Sequence, residues 1–301
     1  MIDLAAACTA TIVQGISGPA GRRSVRLMTD YGTRVVAGVV PGRGGTALNG
    51  VPVLDTVAEA RARFPDVVST VISVAPTHVE DAAAEALDAG CQLLVVRAER
   101  IPHHVMMRTV ARAEERGALV VGGNSLGVLV PGVGRVGNLG GDVELAHQVF
   151  TPGPVGVISR SGGNTGTLGW YLSRAGLGQS GVVTMGGDAV PGSTLLDLLA
   201  LFDADPRTRV VAYYGEIGSR LEEEAAAAIR EGRIQTPLVA YLAGVSTRPG
   251  IRYGHAGAFV GDDGAGTVLD KRRVLADAGA LVVDHFDEVP QAVAEVLHGQ
   301  G

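Results

Sequence analysis

One imidazole dominates the chemistry open to this chain. His255 lies in the run Tyr253-Gly254-His255-Ala256-Gly257-Ala258, where small neighbours let a bulky anion approach the ring. No second His or Cys stands at ligand spacing beside it, so no metal centre is expected there. Alone, such a His reads equally as an ordinary solvated side chain. Two further segments favour chemistry. Glu216, in Gly215-Glu216-Ile217-Gly218, supplies a carboxylate able to hold one ring nitrogen and leave the other nucleophilic. By spacing alone, its stronger role is to stabilise the N-terminus of a helix starting near Arg220. Ser159-Arg160-Ser161-Gly162-Gly163-Asn164 follows an apolar strand and opens a helix, so its hydroxyls and N–H groups form an anion nest. Its plainer reading is a capped helix start, and the absence of G-x-S-x-G excludes a nucleophile elbow. An imidazole nucleophile, an orienting carboxylate and a glycine-rich cradle suit transient phosphorylation of histidine.

Elements must hold these residues, and the bulk of the chain indicates which. The 301 residues suffice for two ordinary domains. Hydrophobic residues make up 46%, aromatics only 4%, and glycines number 44, a composition that fits an α/β fold with many tight turns. Apolar runs such as 67–75 and 91–96 read as buried parallel strands, and none is long enough to span a membrane. A net charge of −6 without a basic block argues against nucleic acid as a partner. Cys8 and Cys91 are too few for a disulfide framework or a zinc site. Ala5-Ala6-Ala7-Cys8 lacks the basic start and apolar stretch of a lipoprotein leader, so a cytoplasmic location is expected.

The pattern predicts strands at 10–14, 34–40, 67–75 and 92–96, with helices at 22–31, 79–89 and 105–116. Thr77 is the expected cap of the second of these helices. Residues 122–141, rich in Gly and Pro, are expected to cross between domains. From Thr151 the alternation restarts, with strands at 155–158, 181–185, 210–214, 237–241 and 281–283. Helices are expected between and after them at 166–175, 194–203, 221–231, 267–278 and 289–297. Such alternation indicates βαβ units on parallel sheets. The expected division is 1–130 as the first domain, 131–150 as a connecting segment and 151–301 as the second domain.

The first strand runs into Gly15-Ile16-Ser17-Gly18-Pro19-Ala20-Gly21. Its three-residue glycine spacing departs from G-x-G-x-x-G, which disfavours a nicotinamide cofactor and the dehydrogenase reading. What remains is a tight turn able to hold a phosphate at a helix N-terminus, or a mere connection. Arg43, in Pro41-Gly42-Arg43-Gly44-Gly45 after the second strand, is either a bidentate phosphate donor or an ordinary surface arginine.

Further ordered motifs accompany these: Gly122-Gly123-Asn124-Ser125-Leu126-Gly127, Gly186-Gly187-Asp188 and Pro191-Gly192-Ser193. With them, over essentially its whole length, the chain resembles the α subunit of succinyl-CoA synthetase and the related region of ATP-citrate lyase. The resemblance implies an N-terminal Rossmann-like CoA-binding domain and a C-terminal flavodoxin-like CoA-ligase domain. It implies a β partner with an ATP-grasp site for ATP or GTP and Mg²⁺, in an αβ or α2β2 assembly. It further implies that a nucleotide phosphorylates His255, that the phosphoryl group passes to a small carboxylic acid, and that CoA forms the thioester. Carried over by residue, Ser17, Gly18, Pro19, Ala20, Arg43 (in place of the family's Lys), Arg97, Ala98 and Glu99 are CoA contacts. Glu216 contacts the histidine, and Ser159, Arg160, Ser161 and Gly162 form the phosphate-binding helix start.

Departures bear on the acid. The family's Thr-Leu-Thr-Tyr-Glu run is Gly163-Asn164-Thr165-Gly166-Thr167 here, so a substrate-associated Tyr is Gly166, and Ser125 replaces a Cys. Gly163, Asn164 and Gly166 therefore predict a roomier, more polar acid site, suited to a hydroxylated acid or a larger one such as citrate. No citryl-CoA-cleaving module accompanies them in these residues. The alternative function is a non-catalytic CoA-binding regulatory subunit, which would need neither His255 nor Glu216.

Overall fold

The computed structural model describes residues 2–247, 254–259 and 267–299. The first domain begins with α1 (Leu4–Thr9), β1 (Ala10–Gln14), α2 (Pro19–Tyr31) and β2 (Arg34–Val39). It continues through β3 (Ala47–Leu48), β4 (Val51–Leu54), α3 (Val57–Arg63) and β5 (Ser69–Ile72). Helix α4 (Val79–Asp88), β6 (Leu93–Val96), α5 (His103–Glu115) and β7 (Leu119–Val121) complete it. The sheet order is β3-β4-β2-β1-β5-β6-β7, parallel except for the short β3–β4 pair. Chain order reverses between β1 and β5, so a Rossmann-type crevice opens at the C-terminal ends of those strands. Strands β5 and β6 are buried at every position, as a sheet covered on both faces requires.

The second domain starts with β8 (Gly127–Val130), β9 (Gly134–Gly137), α6 (Val143–Val149) and β10 (Pro152–Ser159). Then follow α7 (Gly162–Arg174), β11 (Gln179–Thr184), α8 (Leu195–Asp203), β12 (Val210–Glu216) and α9 (Leu221–Arg230). Strand β13 (Leu238–Ala243), α10 (Val268–Asp277), β14 (Leu281–Val282) and α11 (Val289–His298) end the described chain. The order β14-β13-β12-β10-β11-β8-β9 is a flavodoxin-type parallel sheet with the β8–β9 hairpin added antiparallel to β11. Its switch point lies between β10 and β12.

One continuous apolar core joins the two domains. Val13, Met28 and Val95 of the first domain share it with Val128, Val136 and Ile158 of the second. Arg135, fully buried on β9, fastens the same junction. Its Nε donates to Leu27 O at 2.9 Å, and its Nη1 donates to Leu139 O and Gly141 O at 2.7 Å each. Thr33 Oγ1 accepts from Arg135 N at 2.7 Å.

Several expectations change. Residues 127–130, assigned above to the first domain, form β8 of the second sheet, and the expected connector 131–150 contains β9 and α6. The actual crossing is the shorter stretch between β7 and β8. Thr77 does not cap α4; it lies inside a 3-10 turn, Pro76–His78, and α4 has no side-chain cap. The short elements α1, α3, β3, β4 and β7 were not anticipated, and Tyr253 lies outside the described residues. No described helix is long and apolar enough to cross a membrane.

Candidate active site

Strand β10 delivers Ser159 and Arg160 to the C-terminal edge of the second sheet, and Ser161 caps α7. Ser161 Oγ accepts from Asn164 N at 3.4 Å. Ser159 is fully buried, and its hydroxyl accepts from Ser161 N at 3.1 Å, so it shapes the turn from below. Thr165 Oγ1 donates back to Ser161 O at 2.6 Å. Gly163 has open space where a Cβ would stand. The start of α7 therefore presents small residues and backbone N–H groups to an incoming anion.

Across the switch point, β12 ends on Glu216. One carboxylate oxygen lies 3.3 Å from the buried Arg160 guanidinium, and the other lies 2.8 Å from His255 Nδ1. Glu216 thus serves the imidazole and not α9, whose cap position is Arg220 without a side-chain bond. The Glu216 hydrogen bond pushes the imidazole up from its ordinary value, against the desolvation that would lower it. The ring lies against the Gly187 backbone. A Cβ at Gly187 would stand 2.7 Å from His255 Cγ and Cδ2, and one at Gly257 would stand 2.6 Å from Arg160 Nη2. These glycines are small because ring and guanidinium occupy the space, which the sequence does not display.

Asn164 and Gly166 differ in their surroundings. The Asn164 amide donates to Ser161 Oγ and to Tyr214 OH, both at 3.0 Å, so its donors are used inside the protein. Burial pushes the Tyr214 hydroxyl up to about 12, leaving it a neutral partner. Over Gly166 a Cβ would meet nothing, so the space there is open.

The first sheet carries the other candidates. Gly15 has φ +78, and a Cβ at Gly21 would stand 2.3 Å from Gly15 O, so the turn before α2 closes only on glycine. Gly18 caps α2 with Pro19 in the first turn, and Arg22 Nε donates to Ser17 O at 3.0 Å. Ala20 O accepts from Arg97 Nη1 at 3.2 Å, and Ser24 Oγ from the same nitrogen at 3.0 Å. Burial lowers the Arg97 guanidinium, and the neighbouring Arg23 adds to this. Arg43 and Glu99 are exposed. Ala98 O accepts from Asn124 N at 2.7 Å. Beside these, at the switch point, lies a cavity of about 390 Å3 lined by Gly15, Val40, Pro41, Val74, His78 and Asp81 among others. His78 and Asp81 escaped the sequence reading because neither belongs to a glycine-rich turn.

The comparisons agree with both halves. Residues 7–100 match the CoA binding domain family, and residues 158–281 match the CoA-ligase family. The chain is 43% identical over 289 residues to the ADP-forming succinate–CoA ligase subunit alpha 2 of Archaeoglobus fulgidus, covering 96% of this chain and 97% of that one. It is 38% identical to the malate–CoA ligase subunit alpha of Methylorubrum extorquens, covering 96% of each. Among solved structures, ATP citrate lyase from Methanothrix soehngenii in complex with citrate and coenzyme A superposes with a TM-score of 0.88 at 26% identity. That match covers 97% of this chain, which spans 50% of the lyase chain. The fold and the two family matches define a protein that joins a CoA-binding domain to a CoA-ligase domain. The chain belongs to the family of succinate–CoA ligase α subunits.

Proposed function

We propose that this chain is the α subunit of a nucleotide-dependent carboxylate–CoA ligase working through a phosphohistidine at His255. The Arg160–Glu216–His255 chain at the switch point of the second sheet carries this reading. Glu216 occupies Nδ1, so Nε2 is the nitrogen presented for bond formation. His255 Nε2 attacks the terminal phosphorus of ATP or GTP, and the nucleoside diphosphate leaves. A carboxylate oxygen of the acid then attacks that phosphorus, releasing the imidazole and forming an acyl phosphate. The CoA thiolate attacks the acyl carbon, and inorganic phosphate leaves. The Ser161–Gly163 helix start stabilises the phosphoryl group during both transfers.

Ser17, Gly18, Pro19, Ala20, Arg43, Arg97, Ala98 and Glu99 would hold CoA at the edge of the first sheet. The 390 Å3 cavity and the glycine-only turn beside it fit such a ligand. The nucleotide and Mg²⁺ are assigned to an ATP-grasp β partner, in an αβ or α2β2 complex. Succinate or a related di- or tricarboxylate is the acid, and the open space over Gly166 favours a hydroxylated or larger one. Relatives named for succinate and for malate, at 43% and 38% identity, support that class.

With the β partner and γ-labelled ATP, acid-labile label is expected at His255 and is lost in His255→Ala. Label retained by that variant refutes the phosphoryl-carrier role. CoA binding without thioester formation in any partner combination would favour the regulatory alternative.

A further inference from the structure

The Gly186-Gly187-Asp188 motif has no role in the chemistry above, yet its loop touches both halves of the site. The loop connects β11 to α8. On one side it is tied to the first domain. Asp188, 5% exposed, accepts from Arg100 N at 3.3 Å and from Ile101 N at 3.4 Å. Gly192 N donates to Gly122 O at 2.5 Å, and Ser193 Oγ accepts from Val120 N at 3.2 Å. On the other side it meets the histidine loop. Gly187 O accepts from Gly257 N at 3.1 Å, and the Gly187 backbone lies against the His255 ring.

We propose that Asp188 is a positioning residue that couples occupancy of the 97–101 loop by CoA to the placement of the His255 loop. The inference rests on the CoA assignment of Arg97, Ala98 and Glu99 made above. Arg100 has φ +58, a left-handed conformation that non-glycine residues avoid. It turns two successive N–H groups toward one carboxylate, a small anion nest whose anion is supplied by the other domain. A Cβ at Gly123 would stand 2.7 Å from Asp188 Oδ2, so glycine there leaves room for the carboxylate. A ligand that orders residues 97–101 orders Asp188, and the next residue back, Gly187, holds the Gly257 amide. Coupling through such a contiguous hydrogen-bonded path is reciprocal.

Amide hydrogen exchange on the 301-residue chain, with and without saturating CoA, tests this in wild type, Asp188→Asn and Asp188→Ala. In wild type, CoA slows exchange at Gly257 by about tenfold or more. In Asp188→Ala, CoA still slows the Gly15–Gly21 turn but changes Gly257 less than twofold. Asp188→Asn restores part of the effect, because an amide oxygen still accepts one N–H group. It also carries the comparison should the alanine variant not fold. Equal slowing at Gly257 in wild type and variants overturns the inference, as does no slowing in wild type with CoA bound. If CoA slows neither region in wild type, the CoA assignment itself fails, and the coupling with it.

Discussion

Gly187→Ala tests whether the imidazole is held as tightly as its geometry implies. Gly187 is outside the left-handed region, so its backbone accepts alanine without strain. The new methyl, however, would stand 2.7 Å from His255 Cγ and Cδ2 and 3.1 Å from Nδ1. Carbon contacts settle near 3.5 Å or beyond, so the ring must retreat by about 0.8 Å. His255 Nδ1 lies 2.8 Å from Glu216, so the part of that displacement directed away from the carboxylate lengthens the bond, and the bond is lost when the whole displacement runs along it. Losing a hydrogen bond to a charged group costs about 1.5–3 kcal/mol, or roughly ten- to a hundredfold in the rate of His255 phosphorylation. Rapid-quench labelling in the complex with the β partner measures this rate. A partner-independent check is the His255 NMR titration, which should fall toward the ordinary imidazole value as the Glu216 bond is lost. Thermal stability should fall by no more than the contribution of that bond. Wild-type labelling with an unshifted titration would refute the claim that Gly187 fixes the ring against Glu216.

Glu216→Gln should move the pH dependence of labelling. Nε2 must be unprotonated to attack, and Glu216 raises the imidazole above 6.5, so the wild-type rate climbs through a midpoint above that value. In the variant that midpoint moves to lower pH. The same shift makes the His255–Glu216 contribution to stability full below pH 6.5 and lost as pH rises through the folded-state value, which urea melts at several pH values can follow. Lys271→Met should cost about 3–5 kcal/mol in urea denaturation, because the buried Glu222, which bridges Lys271 and the Tyr213 hydroxyl, loses the counter-charge of Lys271. Adding Glu222→Leu should recover much of that loss. Burial pushes Cys8 up to about 12 and Cys91 up to about 11, so iodoacetamide at pH 8 should modify neither before the chain unfolds.

The residues proposed for the site stand out in the sequence because their types are costly to place by accident. A glycine-framed His255, Glu216 between two glycines and a Ser-Arg-Ser-Gly turn after an apolar strand are each unusual, and the fold brings all three to one switch point. The apolar runs of β1, β5, β6 and β10 marked the sheets for the same reason. The β8–β9 hairpin was hidden by its glycines. Gly127 and Gly137 have φ +100 and +114; a Cβ on Gly127 would stand 2.0 Å from Val136 O of β9, and one on Gly137 would stand 2.4 Å from Leu126 O just before β8. Residues that suggested a linker are in fact what lets two backbones meet. Asn164 illustrates another limit. Its polarity was visible, but its commitment to Ser161 and Tyr214 depends on a β12 residue fifty positions away.

The shared core between the sheets has a mechanical consequence. With Val13, Met28 and Val95 packed in one body with Val128, Val136 and Ile158, and Arg135 bonded across the seam, the domains have no hinge between them. A catalytic cycle on this scaffold cannot bring its reactants together by closing one domain on the other. The two sheets stay at a fixed separation, so on the function proposed above the travelling part is the ligand's own flexible arm or the short loops that carry Gly187 and His255. The scaffold should therefore melt in a single transition, and neither half should fold when expressed alone.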